Sequence, residues 1–110
     1  MIDLKALATQ YFEIFSRKDL DGLGVMFTGD VTLRDWEISA AGIDDVLAAN
    51  KKIFDSVESI QVTPLHLYQD TNTVAAEISI VVNGTIHLKV VDIITFNDSG
   101  KISSIKAYKG

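Results

Sequence analysis

Thr85-Ile86-His87-Leu88-Lys89-Val90-Val91-Asp92-Ile93-Ile94-Thr95-Phe96 decides the fold. Its even positions Ile86, Leu88, Val90, Ile94 and Phe96 are large hydrophobes, whereas the odd ones include Thr85, His87, Lys89 and Thr95. Sustained alternation is the signature of a strand with one face on a core and the other toward water. One residue breaks the even row, and it is Asp92. An ionised carboxylate in an apolar interior is costly unless it finds partners or takes up a proton. Asp92 is therefore either a structural aspartate bonded to main-chain amides at a bulge, or an acid kept protonated by burial and able to donate a hydrogen bond to a ligand oxygen.

Working outward, Asn83-Gly84 is the strongest hairpin signal in the chain and joins this strand to a preceding one over Thr73–Val82. Asn97-Asp98-Ser99-Gly100 turns into a last strand, Lys101–Lys109. Further upstream, a strand over Val57–Tyr68 is followed by a turn at Gln69–Asn72. Its apolar phase moves from Ile60 and Val62 to Leu65 and Leu67 across Thr63-Pro64, which predicts a bulge or an edge position. The second half thus reads as an antiparallel meander.

The first half is helical. Leu4, Leu7, Ala8, Tyr11, Ile14 and Phe15 recur at helical spacing over Asp3–Phe15, with Asp3 as N-cap and Ser16-Arg17-Lys18 placing positive charge at the C-terminal end. Asp19 caps a short second helix with Leu20, Leu23, Met26 and Phe27 inward, ended by Thr28-Gly29. A strand follows up to Trp36, with Val31, Leu33 and Asp35 on one face and Thr32, Arg34 and Trp36 on the other. Ser39–Gly42 reads as a small-residue loop. The third helix spans Ile43–Phe54, and Asn50 interrupts its inward row of Ile43, Val46, Leu47, Ile53 and Phe54. The expected architecture is a single α+β domain over residues 1–110, three N-terminal helices packed on one face of a curved, mostly antiparallel sheet.

Composition narrows the function. An apolar share of 47% and a charged share of 23% over 110 residues belong to an ordinary globular protein. Net charge is -5 and the ten Lys and Arg are scattered, so nucleic acid and membrane surfaces are not expected partners. The absence of cysteine excludes disulfides, thiolate nucleophiles and zinc–cysteine sites, and fits a reducing compartment. Met1–Lys5 shows no basic segment leading into a hydrophobic run, and no apolar stretch approaches the ~18 residues of a membrane span, so a cytoplasmic location is expected. Asn83-Gly84-Thr85 and Asn97-Asp98-Ser99 match glycosylation sequons but read as turns. His66 and His87 have no second metal ligand at a recognisable spacing, and neither a phosphate loop nor a nucleophile elbow is present. Neither metal nor cofactor is expected.

Several elements place a polar group at their own inward phase. Asp35 reads as a pocket base or as a cap on the following loop, Tyr11 as a core tyrosine or a pocket hydroxyl, and Asn50 as a buried amide. Their coincidence with Asp92 argues for a shared cavity. On the opposite sheet face, Val81, Val91 and Ile93 are apolar among polar neighbours, from which a homodimer through that face is expected.

Tyr11-Phe12, Lys18-Asp19-Leu20-Asp21-Gly22-Leu23 and Phe27-Thr28-Gly29-Asp30-Val31-Thr32-Leu33-Arg34-Asp35 resemble the opening of bacterial ketosteroid isomerases. Val91-Asp92-Ile93-Ile94-Thr95-Phe96-Asn97-Asp98-Ser99-Gly100-Lys101-Ile102 resembles their penultimate hairpin. The resemblance implies the cone-shaped, cystatin-like fold that these enzymes share with SnoaL-like polyketide cyclases and nuclear-transport-factor-like proteins. It also implies roles: Tyr11 as oxyanion-hole tyrosine, Asp35 as proton-shuttling base, and Asp92 as protonated oxyanion-hole acid. Departures from the pattern are Asn50 for a supporting tyrosine, Trp36 for the proline after the base, Lys109 at the pocket mouth, and Ala76, Ile78 and Ile80 for phenylalanines. Trp36, Asn50, Ile78, Ile80, Ile94 and Ala107 are expected to line the ligand pocket. The implied activity is cofactor-independent isomerisation or lysis of a small apolar carbonyl compound through its enolate. The alternatives are a SnoaL-type cyclase and, in another class, a non-catalytic ligand-binding or dimerisation module.

Overall fold

In the computed structural model, which describes residues 2–110, α1 (Leu4–Ser16) starts at the expected cap, where the Asp3 carboxylate accepts from the Ala6 N–H at 3.1 Å. The chain reverses at Lys18, whose φ of 57° is left-handed. The Lys18 ammonium donates to the carbonyls of Val57 and Glu58, at 2.5 and 3.2 Å, tying this corner to the segment that follows the third helix. Asp19 caps α2 (Leu20–Met26) by accepting from Gly22 N–H at 2.9 Å.

The first strand departs from the sequence reading at both ends. Thr28 and Gly29 do not terminate the helix; they belong to β1 (Phe27–Arg34), whose register slips between Phe27 and Thr32. At the other end β1 stops at Arg34, and Trp36 lies in a bend instead of on the outer face of a strand. Ser39–Ala41, expected as loop, is a short strand, β2, paired antiparallel with β1 from Thr32 opposite Ala41 to Arg34 opposite Ser39. Small residues carry little strand propensity of their own, so this pairing comes from the adjacent strand and the turn at Asp35. Gly42, at a φ of 88°, then opens α3 (Ile43–Ser56).

β3 (Ile60–Asp70), β4 (Thr73–Val82), β5 (Ile86–Phe96) and β6 (Ile102–Lys109) complete a sheet of order β2-β1-β6-β5-β4-β3. All neighbours are antiparallel except β1 and β6. β3 begins later than the sequence suggests because Val57 is the C-cap of α3. The phase change at Pro64 is a slip of the β3–β4 ladder between Pro64 and His66, on an edge strand. Asn83 and Gly84, with φ of 53° and 71°, supply the two left-handed positions of the β4–β5 hairpin. The other sequon is also a turn: Asn97 Oδ1 accepts from Ser99 and Lys101 N–H.

The helices cover the inner face of the curled sheet. Ser16 pins α1 to β3, its hydroxyl donating to Phe12 O at 2.8 Å and accepting from Val62 N–H at 2.9 Å. Leu23, Ile94, Phe96 and Ile102 form the closed part of the core. On the outer face, exposed Val91 stands between Glu77 and Tyr108, and half-buried Ile93 between Ala75 and Lys106. No helix among the described residues is long and apolar enough to cross a membrane.

Candidate active site

Asp92 projects from the inner face of β5, directly opposite Ala76 on β4 and Ala107 on β6. One pair of residues further on, Ile94 faces Val74 and Ile105. On the β6 side the small Ala107 leaves the sheet surface hollow beside the carboxylate, whereas Ala76 on the β4 side is fully buried and does not border the cavity. The hollow extends toward α1 and α3 as a cavity of about 220 Å³.

Asp92 is 7% exposed. It sits in regular register with both neighbouring strands and makes no side-chain hydrogen bond among the described residues, so no main-chain cradle at a bulge holds it. Burial, and after it the negative charge of Asp35, push its carboxyl up to about 7. Tyr11 reaches the same cavity from α1, its ring packed on Phe12, Phe15 and Phe27 with centroids 5.4, 6.2 and 6.2 Å apart. Its hydroxyl also makes no hydrogen bond among the described residues. Burial first and the charge of Asp92 second hold it well above the ordinary phenol range. Among the described residues no buried side-chain oxygen or nitrogen is sealed away without a partner, so both unbonded groups open on the cavity. The site therefore offers two proton donors, and the same dry surroundings favour the protonated form of each.

Asp35 closes β1 at the rim of the cavity. Its Oδ1 accepts from Glu37 N–H at 2.7 Å and Ile38 N–H at 2.6 Å, while its own N–H donates to Ile38 O at 2.9 Å. Asp35 thus caps the loop with one oxygen and also lines the cavity beside Trp36. That cap also swings Trp36 off the strand, to a half-exposed place at the mouth where Lys109 Nζ lies 5.5 Å from its ring centroid.

Ile78, Ile80, Ala107 and Asn50 line the cavity as expected. Ile94 does not: it lies on the same face as Asp92 but between Val74 and Ile105, and is fully buried. Apolar wall from Phe15, Ile53, Val57, Leu88 and Ile105, and the rim residues Glu37 and Ile38, escaped the sequence reading. Hydrophobic periodicity marks the former as inward-facing; whether an inward side chain meets another side chain or a void leaves no mark in the pattern. Among the described residues no three His, Asp or Glu side chains gather as a metal site.

A family model described as a SnoaL-like domain matches residues 8–105. No curated protein matches the sequence. Among solved structures, an NTF2-like protein of unknown function from Cytophaga hutchinsonii superposes with a TM-score of 0.83 at 13% identity, over 100% of this chain and 92% of that one. A "putative ketosteroid isomerase" from Kribbella flavida gives 0.81 at 20% identity, over 97% and 77%. A "putative polyketide cyclase" from Sinorhizobium meliloti gives 0.79 at 18% identity, over 88% of each chain. At these identities the likeness is one of fold.

Proposed function

The chain belongs to the SnoaL-like domain family, and on that premise we propose that it is a cofactor-independent isomerase or lyase acting on a small carbonyl compound through its enolate. The observation that carries this reading is the pair of buried, unbonded proton donors, Tyr11 and Asp92, facing one apolar cavity with a carboxylate at its rim. Asp35 takes a proton from the carbon next to the carbonyl and returns it at a different carbon or to the same one. As the proton leaves, negative charge builds on the carbonyl oxygen, where the Tyr11 hydroxyl and the Asp92 carboxyl donate hydrogen bonds. Each such preorganised donor in a water-poor site lowers the barrier by about 3 kcal/mol.

Size limits the substrate. A cavity of roughly 150 Å³ holds benzene, so about 220 Å³ holds one ring with a few substituent atoms, and a four-ring steroid exceeds it. The test follows from that size: β,γ-unsaturated cyclohexenone is offered, and the conjugated isomer is followed by its ultraviolet absorbance. Wild type is expected to turn it over, with a loss of about 10²- to 10⁴-fold in Asp35→Asn.

A second reading is a ligand-binding module without turnover. It is favoured by the two main-chain hydrogen bonds on Asp35 Oδ1, which make this residue part of the loop. On that reading wild type and Asp35→Asn both bind phenol, and neither moves a proton on the cyclohexenone ring.

A further inference from the structure

Among the described residues Asn50 is the buried polar side chain of the cavity for which enolisation has no use. It is 2% exposed, on the inward face of α3, and borders the same space as Tyr11 and Asp92. Its Nδ2 donates to Val46 O at 2.9 Å, one helical turn back. That bond settles which way the amide lies, because a flipped amide would set Oδ1 against a carbonyl oxygen. Among the described residues Oδ1 accepts no hydrogen bond and no buried side-chain polar atom is sealed off unpaired, so it opens on the cavity. A leucine would fill a similar volume without burying an unmet acceptor.

We propose that Asn50 is a specificity-determining residue: its Oδ1 accepts a hydrogen bond from a hydroxyl on the ligand, which is therefore a hydroxylated one-ring carbonyl compound. This rests on the preceding reading, since the carbonyl end must lie at Tyr11 and Asp92. The cavity then presents donors where the ligand has its carbonyl oxygen and an acceptor where it has its hydroxyl. A ligand with only one oxygen function leaves one of the two ends unmet.

The experiment compares phenol, catechol, resorcinol and hydroquinone by titration calorimetry against wild type, Asn50→Leu and Asp92→Leu. The phenol oxygen stands in for the enolate oxygen, and the three diols sample the positions of a second hydroxyl. In wild type one diol is expected to bind about five- to tenfold more tightly than phenol, the gain of one hydrogen bond. In Asn50→Leu that gain disappears while phenol affinity stays within about twofold. Asn50→Val repeats the comparison if the leucine variant does not fold. The proposal is overturned if no diol exceeds phenol, if the gain survives both substitutions, or if phenol and diols weaken equally, which would make Asn50 a support for Tyr11. Failure of the underlying reading looks different: phenol affinity then does not respond to Asp92→Leu, whatever the diols do.

Discussion

Ala107 on β6 stands directly opposite Asp92 on β5, and the space its methyl group leaves is part of the cavity. Ala107→Leu is therefore expected to fill that space from the sheet side. Phenol affinity falls at least tenfold, while the melting temperature holds or rises, because the added carbons enter a void and not a packed core. Calorimetric titration and a thermal scan on the same sample check both halves.

Asp92 makes stability depend on pH in a defined direction. The unfolded chain releases this proton near 3.8 and the folded chain near 7, so between these values the folded state binds more protons. Stability contributed by the protonated acid is full below the lower value and is lost as pH rises through the window, by an amount on the order of 4 kcal/mol. Urea denaturation from pH 4 to 8 is expected to show this fall in wild type relative to Asp92→Asn. In Asp35→Asn the window moves downward, because the charge of Asp35 is the second cause of the shift, but it stays above 3.8 because burial, the first, remains.

On the proposed mechanism the same titration governs turnover. As the proposed donor to the enolate oxygen, Asp92 would act only while protonated, so kcat/KM on the cyclohexenone is expected to fall as pH rises through about 7. Replacement by Asn, a weaker donor that does not titrate there, lowers the rate about tenfold or more and removes this limb of the profile.

Asp92 and Tyr11 were legible in the sequence because each interrupts or occupies a regular apolar period on a long element. Asn50 was legible for the same reason. The rim was not: Trp36 leaves its strand because Asp35 caps two amides, and a one-residue change of path overrides alternation. Ser39–Ala41 pairs as a strand on the strength of its neighbour alone. Ile94 and Ala107 share the inward phase of their strands, yet only Ala107 meets the cavity, because its size and the side chains across the ladder decide where space is left.

Trp36 is the single tryptophan of the chain and borders the cavity. Phenol binding is expected to change its emission in wild type and to leave it unchanged in Ala107→Leu at the same concentration. Lys109→Ala removes the ammonium over the ring and is expected to shift stability by no more than about 1 kcal/mol. It also lowers the fluorescence anisotropy of Trp36, which tests whether that contact holds the mouth in shape.

On the outer sheet face, exposed Val91, Tyr108 and Tyr68 lie near half-buried Ile93, and we expect this surface to join two copies of the chain. Sedimentation equilibrium is expected to give a dimer for wild type and a monomer for Val91→Lys. A wild-type monomer at every concentration would set the expectation aside.

Pro64 has no amide hydrogen and sits on the outermost strand, where the ladder slips, while the opposite border of the sheet is the three-residue β2. Neither border offers a long, straight rank of free main-chain donors and acceptors. An extended segment from elsewhere finds no long unbroken template on the interrupted β3 or the short β2, so lateral accretion into fibrils is discouraged at both margins.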